Sequence, residues 1–291
     1  MKPILSIVIV NYNYGRFLED AIKSVLDQAT DEVELIIIDG GSTDNSVEII
    51  RKYAGDLPPN TSLATNHSAL TTKLAYWVSE PDKGQSDAFN KGFARANGKY
   101  LTWLNADDIM PKGAISAIVK QLKAHSDCEW FTGNFCRFTE DGSIIECAWG
   151  PNYLPYCLQS KGQPLAVYGP ATIFTKELFD RVGGMKVYEN FMMDTDLWMR
   201  FIVAGVKQRR INHFCWAFRM HADSKTAEFG DHKLSPEQRA KFEAERARAT
   251  QETGYKPSTI NRKLILLWRV FDGSFVKSIL LKRFFKKMEV V

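Results

Sequence analysis

A pair of adjacent carboxylates ends an apolar run in the first half of the chain. The segment 98–110, GKYLTWLNADDIM, begins with aromatic and aliphatic residues and changes abruptly at Asn105, Asp107 and Asp108. A hard divalent cation is commonly held by one or two carboxylates and completed by phosphate oxygens of a ligand. The pattern therefore predicts a cation site at the end of a buried strand. Asp107 and Asp108 are the candidate ligands, and for Asp108 we favour the alternative that it caps the following helix, PKGAISAIVKQL.

The elements that would position these carboxylates alternate along the chain. Four apolar runs of strand length are separated by segments with helical spacing of apolar residues, and the runs are ILSIVIV, VELIII, AYWVSE and GKYLTWLN. Such alternation is typical of a parallel sheet, and ligands bind beyond the carboxyl ends of its strands. Gly98 is predicted to stop the helix before the fourth run.

Polar residues follow every one of these runs. Asn11 follows the first, Asp39 ends the second, Asp82 follows the third, and Asn105 and Asp107 follow the fourth. We expect these side chains to gather at one sheet edge and to line a single cleft. Neither G-x-G-x-x-G nor G-x-x-x-x-G-K-[ST] follows a strand, so a dinucleotide fold or a P-loop is not indicated.

Five segments in order carry a family resemblance, and they are SIVIVNYNYGRFLEDAIKSVLDQ, IIIDGGSTDNS, SEPDKGQSDAFNKGFARANGKYLTWLNADD, DTDLWMRF and RMHADSKT. Together they resemble the motifs of the family 2 glycosyltransferases, inverting enzymes of the α/β GT-A fold. The resemblance extends from Leu5 to Ala227, about three quarters of the chain. We therefore divide the chain into a GT-A domain, 1–227, with a nucleotide-binding half, 1–110, and an acceptor and catalytic half, 111–227. A helical extension, 228–291, follows.

The resemblance implies a donor, a metal and an acceptor. The donor is a nucleotide-diphosphate sugar, which we expect to be UDP-linked, and the metal is Mn²⁺ or Mg²⁺. The sugar is transferred with inversion to a hydroxyl of a glycan or a lipid-linked acceptor, in bacterial polysaccharide or glycoconjugate synthesis. A catalytically lapsed sugar-nucleotide or glycan-binding module is the alternative.

The same resemblance assigns the nucleotide pocket. Asn11, Tyr12 and Asn13 would line the base, and Asp39 would accept a hydrogen bond from the N–H edge of uracil or thymine. Capping of the turn that follows is the other reading of Asp39.

The third and fourth strand ends would complete the donor site. Asp82, Lys83 and Gly84 would approach the nucleotide, although a solvated turn is almost as good a description of them. Asn105 stands where the family has an acidic residue and can still hydrogen-bond a ribose hydroxyl, and Asp107 would bind the metal.

The motif RMHADSKT would clamp the diphosphate. His221 is the second expected metal ligand, and Arg219 and Lys225 would hold phosphate oxygens through a guanidinium and an ammonium group. Taken alone, a single histidine is more often structural.

Asp194 occupies the place of the general base, which takes the proton of the attacking hydroxyl. It opens a largely apolar helix, whose dipole would hold the carboxylate and lower its pKa. Met193 stands where the family has an acidic residue, a departure that supports the lapsed-module alternative. Asp196, four residues before Arg200, is expected to form an ion pair within the helix.

The middle of the chain is expected to bind the acceptor. Residues 128–147 predict a hairpin that turns at EDG, and aromatic residues follow that either stack on sugar rings or pack: Trp149, Tyr153, Tyr156 and Tyr168. Residues 55–73 are expected either to extend over the cleft or to form a mobile loop.

The composition is that of an ordinary globular protein, with 291 residues, 45% of them hydrophobic and 25% charged. Five cysteines lack C-x-x-C spacing, so we expect no disulfide framework or zinc site. The first apolar run ends too soon, at Asn11, to be a signal peptide, and no run is long enough to span a bilayer. We therefore expect a cytoplasmic protein.

The C-terminus is basic. Residues 260–291 contain eight Lys or Arg against two acidic residues, a net +6 within a chain of +4. Residues 236–250 predict a solvated helix, and the tail after them either docks on the domain or lies on the cytoplasmic face of an anionic membrane as a peripheral contact. Nucleic-acid binding is not expected, because these basic residues lie among apolar ones.

Overall fold

The computed structural model describes residues 2–55, 58–61, 74–150, 158–160, 163–164, 167, 169–187, 192–224, 235–255, 258–259 and 262–284. Several predictions fall outside these ranges: Lys225, the aromatic residues Tyr153, Tyr156 and Tyr168, and most of the segment 55–73.

The first half of the chain forms the predicted alternation of strands and helices. Its elements are β1 (Leu5–Asn11), α1 (Gly15–Leu26), β2 (Val33–Asp39), α2 (Ser46–Ala54), β3 (Leu74–Ser79), α3 (Gln85–Arg95) and β4 (Tyr100–Asn105). Every residue of β1 and β2 is buried. This burial explains the continuous apolar runs, because a parallel strand covered on both faces cannot alternate polar and apolar residues.

The second half is more irregular. It comprises α4 (Ala114–Ala124), β5 (Trp130–Thr139), β6 (Ile144–Ala148), β7 (Leu158–Ser160), β8 (Gln163–Pro164), a 3₁₀ turn (Gly169–Ala171), β9 (Thr172–Thr175), α5 (Lys176–Arg181), α6 (Met193–Val203) and β10 (Gln208–Met220). The C-terminal part contains α7 (Pro236–Thr253), β11 (Ser258–Thr259), α8 (Arg262–Phe271) and α9 (Ser274–Phe284). The predicted hairpin is confirmed, since β5 and β6 pair antiparallel.

One mixed sheet connects the two halves. Its strand order is β10-β5-β9-β4-β1-β2-β3, and β6 pairs in addition with the second half of β5, from Phe135 to Phe138. Strands β1 to β4 run parallel, β9 is antiparallel to β4 and β5, and β10 is parallel to β5. The register aligns the strand ends, because Asn11 pairs with Asp39, Asp39 with Ser79, and Val10 with Asn105. The prediction that the polar strand ends share one edge is confirmed.

The prediction that Gly98 ends α3 is wrong. The helix ends at Arg95, and Ala96 already has an extended ψ of 134°. Gly98 is needed for a different reason: a Cβ there would lie 2.6 Å from Ser6 Oγ and 2.8 Å from the Ser6 backbone nitrogen. A glycine therefore lets the chain enter β4 in close contact with β1.

The tail docks on the domain through part of its surface, as one of the two alternatives predicted. The Trp149 N–H donates to Ser278 Oγ at 3.0 Å, and Leu281 packs on a small cluster that includes Cys136 and Cys147. The charged helix α7 begins with a capping box between Ser235 and Gln238. Among the helices that the structure describes, none combines the length and the apolar character needed to cross a bilayer.

Candidate active site

The predicted metal ligands lie side by side. His221 Nε2 is 3.0 Å from Asp107 Oδ2, and both side chains are mostly buried. Strands β4 and β10 are separated in the sheet by β9 and β5. The segment after β4 crosses this gap and forms an isolated bridge between Ile109 and Ala217. That crossing brings the loop at Asp107 to the end of β10.

Residues at the start of α1 enclose the other side of the imidazole. The Phe17 ring lies 4.7 Å from the His221 ring and the Tyr14 ring 5.7 Å away. Arg16 Nη2 is 3.3 Å from His221 Nδ1 and 2.7 Å from Asp223 Oδ2. A guanidinium only donates hydrogen bonds, so Nδ1 accepts here and Nε2 carries the hydrogen that faces Asp107. Burial, reinforced by Asp107 and Asp223, raises the pKa of the Tyr14 hydroxyl to about 12.

The Arg219 side chain is engaged within the protein, and its predicted phosphate contact stays a prediction. Its side chain is 4% exposed and lies between the rings of Phe17 and Phe138. The guanidinium bonds Asp20 Oδ2 at 2.8 Å and the Asp107 carbonyl oxygen at 2.9 Å. Arg219 therefore positions the backbone of the metal-ligand loop.

The prediction that Asp108 caps the next helix is also wrong. Helix α4 starts at Ala114 with Gly113 as its N-cap. Asp108 is buried and accepts hydrogen bonds from the Arg219 backbone N–H at 3.0 Å and from Asn105 Nδ2 at 2.9 Å. Burial, with the neighbouring Asp107, raises the pKa of the Asp108 carboxyl well above its usual range. Asp108 thus joins β4 to β10.

Asn105 is held from two sides. Gln85, at the start of α3, donates to its Oδ1 at 3.0 Å, and its amide nitrogen bonds Asp108. The predicted ribose contact of Asn105 stays a prediction.

Asp39 is fully buried at the end of β2 and accepts four hydrogen bonds. The donors are Asn11 Nδ2 at 2.6 Å, the Ser42 N–H at 2.9 Å, Ser42 Oγ at 2.5 Å and Ser79 Oγ at 2.6 Å. Two of these bonds close the turn, as the capping alternative expects. Since a carboxylate has about four acceptor positions, a base N–H could bond Asp39 only if one hydroxyl turned away.

The end of β1 and the residue after it offer two groups that a ligand could bind. Asn11 Oδ1 is buried and has no hydrogen-bond partner within the described structure. The Tyr12 side chain is 59% exposed, and a Cβ on Gly40 would lie 3.4 Å from its ring. By contrast, Asn13 is used structurally: with a φ of 57°, it bonds Ser42 and the Thr43 backbone across the two loops.

The loop after β3 lies against the loop after β2. A Cβ on Gly40 would be 2.6 Å from Asp82 Oδ2, so the carboxylate sits directly beside that glycine. Asp82 also accepts from the Gly84 N–H at 2.7 Å, and the Lys83 N–H donates to Asp87 at 3.0 Å. The loop is thus a well-bonded turn at the cleft edge, and nucleotide contacts of Asp82, Lys83 and Gly84 stay predictions.

Asp194 lies in the first turn of α6, as predicted. Its Oδ1 accepts from the Thr195 N–H at 2.6 Å and from Thr195 Oγ1 at 3.3 Å. The expected lowering of its pKa is wrong: burial raises the pKa of this carboxyl, and the two hydrogen bonds offset the effect only in part. A raised pKa makes the ionised form a stronger base.

Helix α3 connects the start of α6 to the end of β4. Gln85 holds Asn105, and the Ser86 hydroxyl lies 3.5 Å from the sulfur of Met193. The first turns of α3 and α6 therefore meet at the same sheet edge as the metal-ligand pair. The predicted ion pair in α6 is confirmed as well, with Arg200 Nε 2.8 Å from Asp196 Oδ2.

The residues present fit a divalent cation that is completed by a ligand. Within the described part of the chain, no three His, Cys, Asp or Glu side chains are arranged to hold a metal. Asp107 and His221 offer two donor atoms 3.0 Å apart, close to the roughly 3 Å between neighbouring ligands of an octahedral ion with bonds of about 2.1 Å. Binding of a metal through Nε2 requires that the hydrogen move from Nε2 to Nδ1. Nδ1 can carry this hydrogen only when Arg16 no longer donates to it.

Sequence reasoning missed three residues of this site: Arg16, Ser42 and Gln85. Each stands within a segment that carries the family resemblance. Each is a charged or polar residue that follows, by one to three positions, a residue already predicted to belong to the site. That position was the only available signal in the sequence. Their partners, however, come from distant parts of the chain, such as His221 for Arg16.

Comparison with known proteins identifies the family of this chain. The model of the glycosyl transferase family 2 matches residues 6–181. An uncharacterized glycosyltransferase of Nostoc is 35% identical over 116 residues, covering 40% of this chain and 32% of its own. Glycosyltransferase GlyG of Streptococcus pneumoniae is 27% identical over 53% of this chain and 46% of its own. A chondroitin synthase of Pasteurella multocida is 26% identical over 76% of this chain and 21% of its own. The matches thus span half or less of these relatives.

Solved structures share the fold at low sequence identity. S. aureus TarS in complex with UDP-GlcNAc superposes with a TM-score of 0.61 at 15% identity, over 86% of this chain and 66% of that one. The mannosyltransferase PcManGT from Pyrobaculum calidifontis, in complex with GDP-Man and Mn²⁺, gives 0.52 at 16% identity, over 99% and 89%. The chain belongs to glycosyltransferase family 2 and has the GT-A fold.

Proposed function

We propose that the protein is an inverting glycosyltransferase that moves a sugar from a UDP-linked donor to a hydroxyl of a glycan or lipid-linked acceptor. The contact between Asp107 Oδ2 and His221 Nε2, 3.0 Å apart at the carboxyl edge of the sheet, carries this proposal. It unites the two predicted ligands in the place where α/β sheets bind nucleotides.

The donor follows from the strand ends and the fold neighbours. Asn11 Oδ1, the exposed ring of Tyr12 and the loop of Asp82 lie near the carboxyl edge of the sheet, and we infer that they bind a flat base and a ribose. TarS was solved with UDP-GlcNAc, and PcManGT with GDP-Man and Mn²⁺. We infer a UDP-sugar for this chain and treat a GDP-sugar as an outcome of the test.

Asp107 and His221 would hold a divalent cation, Mn²⁺ or Mg²⁺, which supplies positive charge beside the diphosphate. The chain's own groups around this pair are arranged to keep it in place. Arg219 and Asp108 fix the loop of Asp107 to β10, and Phe17 packs against the imidazole. Preorganised charge of this kind typically contributes the largest part of catalysis in charged transition states.

Asp194 serves as the general base in a single displacement. The acceptor oxygen forms its bond to the anomeric carbon while the bond from that carbon to the diphosphate oxygen breaks. The acceptor proton moves to the Asp194 carboxylate, and the nucleoside diphosphate leaves with the electron pair. Burial raises the pKa of Asp194 and so increases the basicity of the group that takes the proton.

The relatives suggest the setting of this reaction. One of them is named a chondroitin synthase, and another a putative teichuronic acid biosynthesis glycosyltransferase. We infer a role in polysaccharide or glycoconjugate synthesis for this chain.

A donor screen tests the proposal. The protein is incubated with Mn²⁺, a panel of UDP- and GDP-sugars and simple hydroxyl acceptors, and the products are identified by mass and by the NMR coupling of the anomeric proton. We expect one UDP-sugar to be turned over with inversion. Asp194→Asn should lower turnover by about 10²- to 10⁴-fold with unchanged donor binding. The exposed Asp180→Asn, on α5, is the matched control.

Asn105 and Met193 motivate the lapsed-module alternative, because neither supplies the charge found at these places in the family. Metal-independent binding of a sugar nucleotide, without turnover for any donor, would establish that alternative. Transfer with retained configuration would contradict the single displacement.

A further inference from the structure

Helix α8 carries an apolar face that the described part of the domain leaves uncovered. Leu266, Leu267, Val270 and Phe271 are 47%, 52%, 47% and 87% exposed. Their spacing of three and four residues puts them on one side of the helix. Four large apolar side chains on one helix face exceed the scattered exposure that is normal for a protein surface.

Helix α9 carries a second exposed apolar stripe. Val276, Ile279 and Leu280 are 45–47% exposed and follow the same helical spacing. The opposite side of α9 is docked, because Leu281 packs against the domain and Ser278 accepts a hydrogen bond from Trp149. The outer stripe of α9 therefore cannot turn inward without losing these contacts. We call the exposed apolar residues of α8 and α9 the tail face.

The positive charge of the C-terminal region favours an anionic binding partner. Lys277 and Lys282 are exposed on α9. Residues 260–291 contain eight Lys or Arg and only Asp272 and Glu289 as acidic residues, whereas the remainder of the chain carries a net −2. Apolar residues interleaved with lysine and arginine on a helix are typical of segments that lie in the interface of an anionic bilayer.

We propose that the tail face binds the surface of an anionic lipid bilayer. The apolar side chains enter the boundary between headgroups and acyl chains, and the flanking lysines contact anionic headgroups. The contact is peripheral. The cytoplasmic leaflet, which carries the anionic lipids, is the surface that this chemistry fits.

The tail face and the candidate active site share a small core cluster. Leu281 packs against the cluster that contains Ile109 and Ala217, and these two residues bridge the segment after β4 to β10. Ile109 is two residues from Asp107, and Ala217 is two residues from Arg219. A bilayer that binds α8 and α9 would thus hold the cleft at a fixed distance from the membrane, a suitable place for a lipid-linked acceptor. The binding itself does not depend on the proposed catalysis.

Vesicle flotation tests this proposal without donor or metal. The whole protein is mixed with vesicles of phosphatidylcholine alone or of phosphatidylcholine with 30% phosphatidylglycerol, at about 0.05 M and 0.5 M salt. We expect flotation with the anionic vesicles at least about tenfold above that with neutral ones, and a loss at high salt because the charges are screened.

Variants of exposed residues identify the surface. Leu267→Ser with Phe271→Ser should lower the partition coefficient at least about tenfold, and Lys282→Gln about fivefold. Val203→Ser on α6, where Val203 is 53% exposed, and Lys120→Gln on α4 are the matched controls and should float like the parent protein. Circular dichroism and thermal melting check that every variant is folded.

Three results would overturn the proposal. Equal flotation with neutral and anionic vesicles would contradict the role of charge in binding. A folded monomer that does not float with either kind of vesicle would contradict membrane binding altogether. A dimer in sedimentation that Leu267→Ser with Phe271→Ser dissociates would assign the tail face to a second copy of the chain.

Discussion

Asp107 Oδ2 and His221 Nε2 lie 3.0 Å apart although 114 residues separate them in the sequence. Asp107 follows β4 and His221 follows β10, and these strands are not neighbours, since β9 and β5 lie between them. The pair exists because the chain after β4 crosses to β10, where the Ile109–Ala217 bridge and the bond from the Arg219 N–H to Asp108 fix it. The stability of this crossing therefore determines the geometry of the metal-ligand pair.

Arg16→Met should strengthen the binding of Mn²⁺ to the protein without nucleotide. Arg16 donates to His221 Nδ1, which keeps the hydrogen on Nε2, and its positive charge opposes a cation. Removal of the guanidinium frees Nδ1 to carry the hydrogen and Nε2 to bind the metal. Titration of Mn²⁺ followed by electron paramagnetic resonance measures the affinity. Arg51→Met, on the exposed face of α2, is the control, and a weaker affinity in Arg16→Met would contradict this account.

Tyr12→Ala should weaken UDP binding by about 5- to 150-fold, the usual effect of losing an aromatic ring that stacks on a base. The ring is 59% exposed, so the free energy of unfolding should change by no more than about 0.5 kcal/mol. Calorimetric titration with UDP measures the affinity. Tyr12→Phe keeps the ring and should bind like the parent. Equal losses in Tyr12→Ala and Tyr12→Phe would argue against stacking.

Thr195→Val should move the acidic limb of the pH profile of kcat/KM to higher pH. Burial raises the pKa of Asp194, and the hydroxyl of Thr195 opposes this by bonding the ionised form. Without the hydroxyl, the pKa rises further, so the base is protonated and inactive at a higher pH. Thr195→Ser retains the hydroxyl and should keep the parental profile. If the acidic limb does not move in Thr195→Val, the group that titrates in this limb is not Asp194.

Arg200→Met should destabilise the protein by about 3 to 5 kcal/mol in urea unfolding, because the Asp196 carboxylate would be buried without its partner. Burial raises the pKa of Asp196 and Arg200 lowers it, so the loss should shrink as the pH falls and the carboxyl is protonated. Asp196→Leu with Arg200→Met should recover much of the stability. The exposed pair of Arg181 and Glu129 provides the control, with a cost within about 1 kcal/mol for Arg181→Met.

The first four strands could be predicted from the sequence because each is mostly buried and reads as a predominantly apolar run. Strand β10 carries no such signal. Along Gln208–Met220, buried and exposed residues alternate irregularly, and its pairing with β5 shifts register twice. Its position at the far edge of the sheet depends on tertiary pairing.

The same distinction applies to the site. Asn11, Asp39 and Asn105 could be located from the sequence because strand register aligns the ends of β1, β2 and β4. The roles of Asp108 and Arg219 could not, because each bonds across the segment that joins β4 to β10. The direction of the Asp194 pKa shift likewise depends on burial, which the helix position does not reveal.

Titration of UDP into the protein with and without Mn²⁺ tests the central claim most directly. The parent protein and the control Asp31→Asn, an exposed residue before β2, should bind UDP at least about tenfold more tightly with Mn²⁺. Asp107→Asn and His221→Gln should lose this dependence on Mn²⁺ while still folding. A metal dependence that survives in both variants would contradict the assignment of Asp107 and His221 as the pair that holds the cation.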